Sequence, residues 1–425
     1  MRRLIPVHMT FILESERRTP VTDEADVVVA GGGPAGVAAA IASARLGAET
    51  MLIERYGHLG GLATGGLVIT LVETKRYGVG VVREAIERLK ELGGARLRRA
   101  AGEQTAWTEG ASFSGEESVN VDPELLKHVL NEMVLEAGVD LLMHSYVVGV
   151  DMEGPLIKHI TLEDKSGRHA VSGKVFVDAT GDADIAAAAG APHEYDRHPW
   201  GINIDYRLGG VDVERESRFR EESPEEHGRI LERLKEHVGG RMYWGPSVRD
   251  GIVWGGAPHD READGLNPKH LTRVEVEGRR ALVKGLSFIR ENMPGLEGAY
   301  ILDTSSQVGI RETRRIDGVY KLTREDEVGG RRFPDAIASS LFDIPYRCLV
   351  PRGVDNLLVG GRCISTTHEA QGPIRNIPPC MVTGQAAGVA AALAAMGGAQ
   401  PRALDPVRVR EALIEQGFEF LRSQR

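Results

Sequence analysis

Gly31, Gly33 and Gly36 follow the apolar run 26–30 at GxGxxG spacing, and Glu54 stands 18 residues beyond the last of them. The chemistry this spacing serves is the holding of a pyrophosphate and a ribose. The first glycine permits a tight turn, the second lets backbone approach the phosphates, and the third lets the next helix pack closely on the strand. The alanine-rich stretch from residue 34 to about 46 reads as that helix, with Pro34 and Ala35 in its first turn. Its N-terminal amides and dipole then face the phosphates. Residues 50–53 read as a second strand that delivers the Glu54 carboxylate to the ribose hydroxyls. An acid there disfavours a 2′-phosphate, which sets NADP aside and leaves NAD and FAD. A plain glycine turn before a helix does not account for Glu54.

Glycine-rich strand ends recur far along the chain. Residues 175–182, VFVDATGD, form one, and residues 357–362, LLVGGR, form another. In an open α/β sheet a ligand lies across the carboxyl ends of several strands. FAD is long enough to need contacts from such distant segments, whereas NAD needs fewer. A second fingerprint for a dedicated nicotinamide domain is absent, since Gly78-Val79-Gly80 lacks the third glycine. The reading is therefore FAD.

Four stretches carry a resemblance: VVVAGGGPAGVAAAIASARLGAETMLIER with GHLGGLATGG, then VDATGDADIAAAAGAP, then GIRETRR, then NLLVGGRCISTTHEAQGPIRNIPPCMVTGQAAGVAA. Together they resemble the FAD-dependent oxidoreductases with a glutathione-reductase-type flavin domain, and most of all the subgroup known simply as FAD-dependent oxidoreductases. The match covers the nucleotide domain at both ends of the chain; of the central part it covers only GIRETRR. The resemblance implies that Gly31, Gly33, Pro34, Ala35 and Gly36 cradle the pyrophosphate and that Glu54 binds the adenosine ribose. It implies Arg55 beside the adenine, Val147 meeting the adenine through its backbone, and Gly60, Gly61 and Thr64 running past the phosphates towards the isoalloxazine. Ala179, Thr180 and Gly181 form a turn against the nucleotide, and Gly361 and Arg362 meet the ribityl-phosphate region. A helix beginning near Cys380 and Met381 points its amides at the flavin N1–C2 edge, a role helix electrostatics alone also suggests.

Oxidation of a C–H bond by flavin needs the carbon held over N5, often with a base and an anchoring group nearby. THEAQGPIRN, between the last sheet strand and the flavin-facing helix, offers such groups. His368 is the first choice for acid–base work, because imidazole titrates near neutrality; the competing role is a histidine that fixes the loop. Glu369 orients it or caps a turn. Arg375 binds a carboxylate or carbonyl substrate, or stabilises negative charge on the flavin. Were residues 309–316 a strand, Arg311 and Arg315 would share one face and Glu312 and Arg314 the other, one lining the substrate cavity and one salt-bridged at a domain seam. Cys363 and Cys380 lie 17 residues apart, unlike a CxxC dithiol, and read as small buried residues. His58 does not match the spacing of a covalent flavin attachment. The cluster from His193 to His198 lacks metal-ligand spacing, so no metal is expected. Trp200, Tyr206, Trp244 and Trp254 read as core, with one or two able to wall the flavin pocket.

The elements that position these groups follow from periodicity. Helical spacing marks residues 81–92, and Asp122-Pro123-Glu124 starts a second helix that ends near Gly138. Strands are expected at 139–143, 146–150, 157–162, 174–178 and 356–359, an irregular stretch or hairpin at 94–120, and a small-residue helix at 381–396. The organisation is an N-terminal arm (1–24), a Rossmann-like α/β FAD-binding domain split into 25–190 and 346–425, and an inserted α+β substrate domain at 191–345. A chain of 425 residues with 42% hydrophobic and 27% charged residues reads as an ordinary globular protein. Its formal charge of −9 and lack of a basic stripe exclude nucleic-acid binding. No stretch reaches the length of a membrane span, the longest apolar run being 386–396. Three cysteines fit a cytoplasmic setting, and a homodimer is expected from the habit of such flavoproteins. The expected activity is hydride transfer between a small organic substrate and flavin N5, with oxygen, a quinone or a partner protein as electron acceptor. An NAD(P)H-fed reductase or hydroxylase, a flavoprotein subunit of an electron-transfer complex and a sensor without chemistry are the alternatives.

Overall fold

A computed structural model describes residues 16–98, 118–195 and 200–420. Its main sheet has seven strands, built around Val21–Ala30. That strand runs parallel to Thr50–Ile53 on one side and to Gly167–Asp178 on the other. Residues 27–30 have partners on both edges and are buried on both faces, which is why the stretch is an unbroken apolar run rather than an alternating one. Asp140–Leu142 extends the sheet beyond Thr50–Ile53. Gly167–Asp178 is shared: its first half closes an antiparallel meander with Tyr146–Glu153 and Leu156–Asp164, and its last residues pair in parallel with Leu357–Val359.

Most local readings hold with shifted ends. Pro34–Arg45, Gly80–Glu91 and Pro123–Glu136 are helices, the last capped by Asp122, whose carboxylate accepts from the amides of Glu124 at 3.0 Å and Leu125 at 3.3 Å. Ala95–Arg98 and Ser118–Val121 pair antiparallel, and residues 99–117 between them lie outside the described residues. The expected arm at 1–24 lies outside the described residues as far as 15, and from Val21 the chain is already strand, because Gly167–Asp178 reaches back to pair with it. The strand considered for 309–316 is not formed. Only Arg315–Ile316 is extended, paired with His193–Glu194, and the residues before it take an irregular path at the junction of two cores.

The insert has its own antiparallel sheet, in the order Tyr243–Pro246, Val253–Gly256, Asp205–Gly209, Tyr300–Thr304, with the helix Pro268–Asn292 beside it. Its apolar core, which includes Tyr206, Leu208, Trp244, Leu282 and Ile289, is separate from the main one. From Ile316 onward the apolar residues rejoin the main core, upstream of the expected boundary at 346.

Ile377–Gly397 is a helix four residues longer at its start than expected, and by length and composition it is apolar enough to cross a membrane. Here it is a core helix, with 83% of its apolar window buried. It lies against Pro34–Arg45 at backbone contact: a Cβ on Gly384 would meet Ala35 O at 2.1 Å, and one on Gly388 would meet Ala39 O at 2.0 Å. Gly388→Ala should force the helices apart and cost roughly 1–3 kcal/mol. Gly397→Ala, on the same helix with nothing within 4 Å of the added methyl, should be neutral or stabilising. Denaturant unfolding of the two variants side by side checks this, and equal losses would refute it.

Candidate active site

Four strands of the main sheet end at one edge, and the residues after each end line a single cavity of about 430 Å³. After Val21–Ala30 come Gly31 and Gly33; after Thr50–Ile53 come Glu54 and Arg55; after Gly167–Asp178 come Ala179, Thr180 and Gly181; after Leu357–Val359 come Gly360, Gly361 and Arg362. Pro34, Ala35, Gly61 and Val147 also line it. The long helix of the insert covers it with Pro268, Leu271, Thr272 and Glu275. Gly31 has a φ of +99°, and a Cβ there would meet Ala179 O at 2.6 Å, so only glycine makes this turn. A Cβ on Gly33 would meet nothing within 4 Å, which leaves room at the helix start for a phosphate.

Glu54 is buried at the strand end. Its Oε2 accepts from Gly32 N at 2.6 Å and its Oε1 from Tyr56 N at 2.8 Å, while burial pushes its pKa up. The carboxylate is thus oriented before any ligand arrives. The turn 179–181 is tied down by Asp178, whose Oδ1 accepts from Thr180 N at 3.1 Å and whose Oδ2 accepts from Ala186 N at 2.9 Å. Asp182, not singled out from sequence, ties this turn to two distant segments. Its Oδ1 accepts from Thr313 Oγ1 at 2.6 Å and from Arg362 Nη2 at 2.7 Å, and its backbone oxygen accepts from Arg314 Nη1 at 2.7 Å.

Four of the residues expected to touch the cofactor stand behind the cavity wall. Gly36 spaces the helix from the turn, since a Cβ there would fall 1.7 Å from Gly31 O. Thr64 is buried and donates to Leu59 O at 2.6 Å. Gly60 and Met381 line a small separate apolar pocket. Cys380 lines the main cavity as expected, but the helix begins at Ile377, with Pro378 and Pro379 in its first turn. Those prolines carry no N–H, and Cys380 N donates to Asn376 O at 3.0 Å. The helix therefore offers the cavity its dipole and the Ile377 amide rather than a row of amides.

The polar residues beyond the cavity's end form a connected group. His368 opens the short helix His368–Ile374, capped by Thr367, and its Nδ1 lies 2.7 Å from Glu312 Oε2. Glu312 is wholly buried, and its Oε1 accepts from Arg315 Nε at 2.7 Å. Burial pushes the Glu312 carboxyl up, and Arg315 and His368 pull it back. This corrects two expectations: Glu312 rather than the exposed Glu369 orients His368, and without a strand Glu312 and Arg315 meet instead of facing apart. Trp200 links this group to the cavity, its ring 5.7 Å from the His368 ring and 5.5 Å from the Arg375 guanidinium. Arg375 lines the cavity; His368 and Arg311 do not. Arg311 belongs to the insert, where its Nη1 donates to Asn203 Oδ1 at 2.9 Å and to Gly201 O at 3.1 Å, and its Nη2 lies 3.2 Å from His259 Nε2. The three cysteines are buried and unbridged, and the described residues contain no cluster able to hold a metal. Residues 196–198 of the His193–His198 cluster lie outside the described residues. Asp182 escaped the sequence reading although it sits in a quoted motif, and Glu312 was read only as one side of a candidate strand, because their partners Arg362 and His368 are far away in the chain.

Asn203 connects Arg311 to Asp205, whose Oδ1 accepts from Asn203 Nδ2 at 2.8 Å. Burial raises the Asp205 carboxyl to about 7, against the opposing pull of Arg311. A folded-state pKa raised above the ordinary carboxylate value stabilises fully at pH below that ordinary value, and the contribution is lost as pH rises through about 7. The stability of the wild type relative to Asp205→Asn should therefore fall between about pH 4 and pH 7 and level off above. Urea unfolding at about pH 5, 6, 7 and 8 checks this; a flat difference from the first to the third would sink it.

The geometry can be set beside known proteins. The family profile described as FAD dependent oxidoreductase matches residues 26–341 and 338–413. Thiamine thiazole synthase of Methanococcus vannielii is 27% identical over 177 residues, 39% of this chain and 59% of that protein. Mitochondrial dihydrolipoyl dehydrogenase of Pisum sativum is 50% identical over 52 residues, 12% of this chain and 10% of that protein. The chain thus matches only part of the length of these curated relatives. Among solved structures, p-nitrophenol 4-monooxygenase from Pseudomonas putida aligns with a TM-score of 0.52 at 11% identity, over 93% of this chain and 85% of that one. The flavin-dependent brominase Bmp2 aligns with a TM-score of 0.52 at 15% identity, over 91% and 83%. At such identities the likeness is one of fold. The family profile spans most of the chain, and the glycine cradle at four strand ends fits its cofactor: the chain belongs to the FAD-dependent oxidoreductases, and FAD is what it binds.

Proposed function

We propose that the protein transfers a hydride between a small organic substrate and the N5 atom of its FAD, with His368 moving the accompanying proton. The observation that carries this reading is the 2.7 Å contact between His368 Nδ1 and a buried carboxylate, Glu312, beside the tryptophan on which the cavity's Arg375 also packs. When bound, FAD supplies the hydride acceptor or donor. Glu312 fixes the ring, so that Nδ1 carries the proton it shares and exchange with a substrate runs through Nε2. Arg315 keeps Glu312 in place with no exposure of either group to bulk water. Cys380, the thiol nearest this chemistry, is pushed up to about 12 by burial and does not serve as a base. The insert covers one side of the cavity, which would shield the reacting atoms from part of the surrounding water.

Glu54 is read as the ribose acceptor, and Gly31, Gly33 and Gly61 as the pyrophosphate cradle. Glu54→Gln removes one charged acceptor, and FAD affinity should fall about tenfold or more, measured by flavin fluorescence on titrating apoprotein. For the reaction itself, FAD-loaded protein is mixed anaerobically with a panel of small alcohols, amines and hydroxy acids, and bleaching of the flavin band is followed. His368→Asn should retain FAD and slow that bleaching by about 10²–10⁴. Unchanged reduction kinetics would remove His368 from the mechanism. Rapid bleaching by NADH or NADPH, with none by the panel, would favour the nicotinamide-fed reductase or hydroxylase instead.

A further inference from the structure

Arginines in this protein are mostly paired with carboxylates, as at Arg88 with Glu136, Arg315 with Glu312 and Arg362 with Asp182. Of those without such a partner, four converge on one place. Arg241, Arg261, Arg311 and Arg375 all bear electrostatically on His259, and none of the four has a carboxylate partner among the described residues. Arg311 is held entirely by neutral acceptors: an amide oxygen, a backbone oxygen and the imidazole of His259. Burial and the surrounding arginine charges keep that imidazole neutral, at about 3, so it adds no charge of its own.

Arg375 is the member that reaches the cavity. Its guanidinium lies over the Trp200 ring at 5.5 Å, and its Nε is buried with no hydrogen-bond partner. Burial first, then the charge of Arg311, push Arg375 below its ordinary pKa. The direct partners of these two cations are neutral groups and an indole face; the acids that act on them, Glu312 on Arg375 and Asp205 on Arg311, do so without an ion-pair contact, and Glu312 is already shared by Arg315 and His368. A bound flavin in its anionic reduced form would answer one charge, and the helix N-terminus at Ile377, which lines the same cavity, adds positive potential of its own. The exposed Arg241 and Arg261 extend the positive field outward from the insert.

We propose that the substrate carries a carboxylate, gripped by the Arg375 guanidinium beside Trp200, with Arg311 as a second cation fixed from the insert. A planar guanidinium fork matches a carboxylate in two parallel hydrogen bonds, and the unpaired Nε supplies one of its donors. The inference rests on the hydride-transfer reading for the word substrate, but its test does not require turnover.

Oxidised, FAD-loaded protein is titrated with acetate, benzoate and succinate, and with benzamide as the neutral isostere of benzoate. Perturbation of the visible flavin band and calorimetric heat are recorded in parallel. At least one carboxylate should saturate, with benzamide about 30-fold weaker than benzoate where benzoate is the ligand. Arg375→Met should weaken the carboxylate about 30-fold or more and Arg375→Lys should restore part of the loss, both at unchanged FAD content. Arg311→Met gives a second, independent loss should Arg375→Met fold poorly. Three results overturn the inference: no saturable binding by any of the three carboxylates, equal binding of benzoate and benzamide, or an Arg375→Met protein that binds carboxylate normally while its flavin midpoint potential drops. The last would assign Arg375 to the reduced flavin. Charge-dependent carboxylate binding in a protein that no donor reduces would leave this inference standing and fail the hydride-transfer reading alone.

Discussion

The architecture depends on one close contact, between the helices Pro34–Arg45 and Ile377–Gly397. Gly384 and Gly388 lie against the backbone of Ala35 and Ala39 at distances that admit no side chain. This seam joins the two ends of the chain across the whole insert. It also sets the strand Leu357–Val359 beside Gly167–Asp178, so that Gly360 and Gly361 come to rest next to the Gly31 turn. Alanine and glycine give up apolar area at such a seam and gain dispersion contact along it. The result is a binding edge formed by residues more than 300 positions apart.

A second set of constraints joins the insert to that edge, and it is polar. Asp182 gathers Thr313, Arg314 and Arg362, while Glu312 gathers Arg315 and His368. Both acids are buried, and both neutralise arginines that would otherwise be costly at a seam. The segment 311–315 is the pivot: its alternate residues turn towards the insert, the Gly181 turn and the His368 helix in succession. What these pairs leave behind is an excess of positive charge at the junction, around His259 and Arg375. In a protein of net charge −9 this excess is local, and it is the feature on which the proposed carboxylate grip rests.

Local grammar carried much of this in the sequence. The strand–glycine–helix–strand–acid series from 26 to 54 was legible because each of its parts depends on neighbours within a few residues: a buried apolar run, a positive φ at Gly31, a proline at the first helical position. The Asp122 cap was legible for the same reason. The stretch 309–316 was not. Its alternation of charges fits a strand, but its partners lie on three different elements, and satisfying them costs it regular structure. Thr64 was read as a cofactor contact from motif position, yet its hydroxyl is spent on the Leu59 carbonyl five residues back.

By itself the sequence determined that this protein has a split α/β domain built for a dinucleotide, because glycine spacing and apolar runs state local backbone requirements directly. Tertiary structure alone decided which charges are cancelled and which are left over. Pairing of Glu312 with His368, of Asp182 with Arg362, and the placing of Arg375 over the Trp200 ring depend on approach in space. A residue's charge is written in its type; whether that charge is balanced is a property of its neighbours in the fold.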